Sequence, residues 1–396
     1  MPSTLTWLDH DATERERMNR VLALFQERTT VDELGLGGIR DSIADRLFPG
    51  TSTIQTRLRY FLFTAWTYRL LEEKKTRSSE VAEKARKLEL RIAEHLLGTD
   101  EAGIFGRLAR GDLKRLPSSV YWGGLGQWGI RIFNGSQDQY HRSLDRIYEQ
   151  RKMARTRWES AEDPDVRLGA TWHAALPPAP EGFPDDVSID IEHEEAQFLL
   201  DRIRASHPHS YLRVLAEAKQ LPEVDFPWDL ADIPGTTTEH ETLLTYAQSF
   251  SEIHHGATIL YNLMLAEHAD RADLADQHST RLDEWLNGID IDACSRWDLD
   301  DFWRNTVNPG HSITPAARDF VTNWRAVVVR SRDLRKDETA RQLIRHRESL
   351  LKGPRSKFTN RQLLDEWQGY AGMLRLDYRW FRVRALLADL HAGLRR

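Results

Sequence analysis

Residues 58–71, LRYFLFTAWTYRLL, constrain the fold more than any other stretch of this chain. On a helical wheel, Ile54, Leu58, Phe61, Ala65 and Tyr68 make one stripe, and Leu62, Phe63, Trp66 and Leu70 fill most of the remaining circumference. A helix that is apolar nearly all round has to run through the middle of a core. Pro49-Gly50 ends the preceding segment, and Thr51 or Ser52 is the expected N-cap of a central helix over 52–74. Arg57 and Arg59 stand at its entrance, where a charge entering a core needs compensation. The apolar run, 14 residues long with Arg59 and Arg69 inside it, falls short of the roughly 20 residues of a membrane span.

The rest of the chain repeats the helical period. Thr13 and Glu16 have capping-box spacing, and Met18, Val21, Leu22 and Phe25 share one face. After the glycines at 35, 37 and 38, Ile39, Ile43 and Leu47 line a short helix, with Asp41 and Asp45 together on another face. Further helices are expected over about 79–97, from Pro117, after Gly135, and over about 191–205, 209–220 and 238–268. The last third suggests helices near 278–287, 314–331, 338–351, 360–374 and 378–393. No segment alternates at period two for more than a few residues, so the fold class is all-α and multi-helical. Residues 158–190 hold five prolines and no period, which predicts a linker between helical subdomains 1–157 and 191–396.

Hydrophobic residues at 40% and charged residues at 29% suit a globular protein. One cysteine, Cys294, excludes an intrachain disulfide and points to a reducing compartment. The N-terminus has no basic stretch followed by an apolar core, so a cytoplasmic protein without a membrane partner is expected. Charge is uneven. Residues 161–241 carry 18 Asp/Glu against 5 Lys/Arg, whereas residues 318–396 carry 19 Lys/Arg against 9 Asp/Glu. A basic C-terminal third can face nucleic acid, or it can pair with the acidic middle.

Three constellations are candidates for chemistry. At the first, the start of the central helix, Ser52, Arg57 and Arg59 could hold a phosphate, using helix-terminal N–H groups and bidentate guanidiniums. The other reading pairs Arg59 with Asp41 or Asp45 inside the protein. The second is SEIHHGATILYNL, where Ser251, His255 and Asn262 fall near one face and Glu252 with His255 has di-metal spacing. Such centres need that motif twice, and it occurs once. Asp41, Asp45 and His255 are the catalytic candidates. With no HExxH, CxxC, Walker or GxGxxG motif, neither a metal nor a cofactor is expected. The third is RHRESLLKGPRSKFTNR, in which Arg345, Arg347, Lys352, Arg355, Lys357 and Arg361 face Glu348 alone. Its middle predicts a loop that neutralises a nucleic-acid backbone, with Phe358 stacking on a base. Four glycines at 123, 124, 126 and 129 each cost about 0.5–1 kcal/mol within a helix, and together they suggest a close backbone or a bound ligand.

Four blocks, DELGLGGIRDSIADRLFPGTSTIQTRLRYFLF, LPSSVYWGGLGQWGI, FSEIHHGATILYNLMLAE and LDYRW, resemble a family of uncharacterised bacterial proteins catalogued as a domain of unknown function. The resemblance extends over nearly the whole chain. It implies a component of anti-phage defence loci, beside helicases and phospholipase-D-type nucleases, and supplies no catalytic residues. The expectation is therefore a DNA-interacting defence component with helicase or nuclease partners. Two alternatives stand beside it: a helical glycosylase or nuclease acting on phage nucleic acid, and a non-catalytic protein-interaction module.

Overall fold

The computed structural model describes residues 32–99, 101–106, 115–158, 170–308, 310–331 and 333–396, the side chains of 154–158 excepted. The helix expected over 13–28 lies outside them. Among the described residues there are fifteen α-helices and no strand, so the chain is all-α. In order they are α1 Gly37–Leu47, α2 Tyr60–Glu73, α3 Val81–Leu97, α4 Pro117–Gln127, α5 Gln137–Trp158, α6 His193–Ser206, α7 Tyr211–Glu217 and α8 Thr238–His268. There follow α9 Ala272–Gly288, α10 Ile291–Arg296, α11 Leu299–Thr306, α12 Pro315–Arg330, α13 Glu338–Lys352, α14 Arg361–Asp365 and α15 Trp380–Leu394.

The chain forms two compact units, Met1–Ile43 with Leu243–Tyr378 and Ala44–Thr242 with Arg379–Arg396. The second unit is built on α2. Every residue from Tyr60 to Tyr68 is buried, as a helix apolar all round requires. Phe61 stacks on Trp128 at 4.1 Å, and Tyr68 meets the edges of Trp122 and Tyr140 at 5.4 Å. Against α2 pack α3 and α4, while α15 packs on α6. Gly124 of α4 permits this closeness, because a Cβ there would lie 2.8 Å from the Phe61 ring of α2 and 2.4 Å from the Gly50 carbonyl just after α1. The close approach expected of the glycine-rich helix is thus between two backbones. Residues 170–190 of the expected linker belong to the second unit and contain no helix, with Trp172, Leu176 and Ile189 buried.

The central helix starts at Tyr60, eight residues later than its sequence predicts. Thr51 does not cap it: its hydroxyl donates back to the Phe48 carbonyl at 2.7 Å. Gln55 takes the Ser52 N–H and donates to the Gly50 carbonyl. Tyr121 of α4 then accepts from the Thr56 and Arg57 N–H groups, and Asp389 of α15 accepts from Leu58 N–H. Distant side chains satisfy the donors that a local helix would otherwise have used.

In the first unit α8 is the long central element. The helix expected over 360–374 shrinks to α14, because Gly369 (φ +93°) and Gly372 (φ +63°) turn the backbone left-handed. Ala371 N–H is taken by the Asn262 amide oxygen at 2.8 Å and not by a helical carbonyl. No helix among the described residues is long and apolar enough to cross a membrane.

Candidate nucleic-acid interface

The basic run lies in the first unit, over the end of α13, a 3₁₀ turn at Gly353–Arg355 and the start of α14. Its sharp elbow needs Gly353, whose φ is +52°. The seven residues singled out in the sequence divide into two groups here. Arg347, only 4% exposed, turns inward and donates to the Leu34 carbonyl at 2.7 Å and the Gly35 carbonyl at 3.0 Å. Lys352 and Lys357 both reach the buried Glu33, at 3.1 and 2.9 Å. Phe358 is buried, edge-on to Tyr261 at 5.8 Å, so its ring is a packing element and not an open stacking platform. Arg345, Arg355 and Arg361 are exposed. Arg345 covers the Phe358 ring at 5.5 Å, and Arg361 pairs with Asp365 at 3.1 Å within one helical turn.

What fixes the elbow is an internal clasp. Glu348, fully buried, accepts from the Ser356 hydroxyl and from Lys357 N–H at 2.8 Å. Tyr261 of α8 directs its hydroxyl between Glu33 and Glu348, at 3.4 and 3.5 Å. Burial between two carboxylates raises the Tyr261 phenol far above its ordinary value, so it remains a donor. Sequence reasoning did not find this clasp. The one trace of it was Glu348, the single acid in a basic run.

The polar residues of SEIHHGATILYNL serve the chain itself. Ser251 donates to the Leu376 carbonyl at 2.9 Å, Asn262 exchanges two bonds with Ala371, and Glu252 is ion-paired with Arg375. Together they hold the 371–376 segment against α8. The half-buried His255 is held near the Met373 backbone, and burial lowers its ring to about 4, so it stays neutral near pH 7. Among the described residues no group of three His, Cys, Asp or Glu is placed to hold a metal ion. Cys294 is buried, which pushes its thiol up to about 11.

Asp41 receives two bonds from the neighbouring Arg40, at 3.0 and 3.2 Å. Asp45 is ion-paired with Arg379, which also donates to the Thr51 carbonyl at 2.7 Å. Neither carboxylate is the partner of Arg59, contrary to the pairing expected from sequence.

Arg59 is 4% exposed and bonds Glu195 of α6 at 2.6 Å, with the Ser188 and Asp190 carbonyls as further acceptors. Its guanidinium also lies 5.7 and 5.8 Å from the Phe63 and Trp66 rings. Arg57 bonds Asp389 at 2.9 Å and Glu101 at 3.4 Å. The Ser52 hydroxyl is buried without a hydrogen bond. Internal carboxylates compensate both arginines, and the two nearest, Glu195 and Asp389, come from helices more than a hundred residues further along the chain.

No curated protein and no solved structure matches this chain. A family model described as a family of unknown function, DUF6361, matches residues 2–393. With nearly its whole length matched, the chain belongs to that family.

Proposed function

We propose that this protein binds the backbone of nucleic acid, DNA above all, through the outward cations of the 345–361 elbow. On this reading it acts as a component of a bacterial anti-phage defence system, with helicase or nuclease partners. The observation that supports the reading is the exposure of Arg345 on α13, Arg355 on the clasped turn and Arg361 at the start of α14, while the other cations of the run are used internally. Guanidiniums at such a turn neutralise phosphates without reading bases. The buried Phe358 leaves this turn without the aromatic platform that stacks single-stranded bases, so binding rests on phosphate contacts, which carry no sequence information.

Binding should be measured by fluorescence anisotropy with duplex and single-stranded DNA between about 50 and 200 mM salt, the range over which phosphate contacts dominate. Replacing Arg345, Arg355 and Arg361 together by alanine should weaken binding for every sequence. The slope of log affinity against log salt should flatten by up to about 3, roughly 0.9 per lost phosphate contact. Because all three are exposed, stability should stay within about 1.5 kcal/mol of wild type, about 0.5 for each substitution. Wild-type protein without salt-dependent binding to DNA or RNA, or an unchanged slope in the variant, sinks the reading.

A further inference from the structure

The second unit contains a small cavity lined by Tyr60, Phe63 and Thr64 of α2, Glu89 and Ile92 of α3, and Pro117 at the start of α4. Its lining is mostly apolar; the Tyr60 hydroxyl accepts from Phe105 N–H at 3.1 Å, and two further polar groups lie in it. Glu89, 3% exposed, receives Ser118 N–H at 2.8 Å on one carboxyl oxygen and the Ser118 hydroxyl at 2.7 Å on the other. A carboxylate has about four acceptor sites, so roughly two remain open. Thr64 is 1% exposed, and its hydroxyl has no hydrogen-bond partner. A helical threonine ordinarily bonds back to the carbonyl one turn earlier, and this one does not. A hydroxyl left dry forfeits the hydrogen bonds it makes to water in the unfolded chain.

The space open to the centre of a water-sized sphere is about 10 Å³, room for about one water molecule and no larger ligand. We propose that the cavity is a binding site for a single ordered water, which accepts from the Thr64 hydroxyl and donates to the Glu89 carboxyl. The water completes a polar chain that runs from the buried Glu89 out to the half-buried Gln137 and His141. Ser118 accepts from the Gln137 amide at 2.8 Å, and the same amide donates to the Tyr68 hydroxyl at 2.6 Å. Tyr68 in turn lies 3.0 Å from His141 Nε2. Burial lowers the His141 ring, leaving it neutral and able to accept from Tyr68. The Ser118, Gln137 and Tyr68 donors each have an acceptor, and the water supplies the two bonds lacking at the inner end, one from Thr64 and one to Glu89.

The titration of Glu89 reports on the water. Burial raises its carboxyl to about 7, against the Ser118 bonds and the more distant Arg86, which lower it. The protonation of Glu89 can be followed by the carboxyl infrared band that Glu89→Gln removes from the full-length protein. Thr64→Val keeps the side-chain shape but deletes the hydroxyl that anchors the water. Losing one donor to the charged carboxylate should move the midpoint up by about one pH unit. A high-resolution crystal structure should show one density peak within hydrogen-bond distance of Thr64 Oγ1 and Glu89. An empty cavity, or an unmoved midpoint in Thr64→Val, overturns the proposal. Should Thr64→Val fail to fold, the wild-type density alone decides.

Discussion

Arg59 and Glu195 offer the most direct test of how the central helix enters its core. The side chains are 4% and 8% exposed, and their nearest atoms are 2.6 Å apart. Arg59→Met keeps the aliphatic stem against Phe63 and Trp66 but leaves the Glu195 carboxylate without its cation. It also deprives the Ser188 and Asp190 carbonyls of a donor. Breaking a buried pair from one side costs about 3–5 kcal/mol, because the surviving charge stays desolvated. Glu195→Gln should cost less, since the guanidinium keeps the Ser188 and Asp190 carbonyls and can keep the one amide oxygen, while the amide nitrogen then faces the Glu192 N–H that the second carboxylate oxygen accepts at 3.2 Å. The double variant removes both charges, so its cost should fall about 2 kcal/mol or more below the sum of the singles. Denaturant unfolding, followed by tryptophan fluorescence, measures each cost through the midpoint of the second unit's transition. Single costs under about 1 kcal/mol, the range of exposed pairs, would refute the reasoning, as would strict additivity. An arginine reserved for an external phosphate gives the opposite pattern, with stability kept and nucleic-acid binding lost.

Two further outcomes follow from packing and protonation. Gly124→Ala gains up to about 1 kcal/mol of helix propensity, yet drives a Cβ to 2.4 Å from the Gly50 carbonyl; a net loss of about 1–3 kcal/mol is expected in the same assay, whereas the equally helical Gly123, with nothing within 4 Å, should tolerate alanine. His278 is fully buried, donates to the Gly369 carbonyl at 2.9 Å, and has its other ring nitrogen unpartnered, so burial lowers it to about 4. A folded value below the unfolded 6.5 stabilises the first unit above that pH and is lost as pH falls toward 4, by about 3 kcal/mol in all. His278→Gln should flatten this part of the stability profile measured between those two values.

The sequence alone determined what depends on periodicity and composition. Tyr60–Tyr68 is apolar all round, and that pattern fits only a central helix. The long helix was legible at both ends, 238 and 268, because its apolar face never breaks. The buried stripe of Ile39, Ile43 and Leu47 was equally plain. Tertiary structure decided where individual polar groups find partners. Tyr121 and Asp389 hold residues 56–58 out of the helix, and Asn262 holds Ala371 out of another. It also decided that Arg59 pairs with Glu195, that Lys357 turns inward to Glu33, and that Arg355 faces outward. Helical period is a property of neighbours three or four residues apart, so it is written in the local sequence. The partner of a buried charge is whichever opposite charge the fold brings within about 3 Å, and here that residue stands more than a hundred positions away.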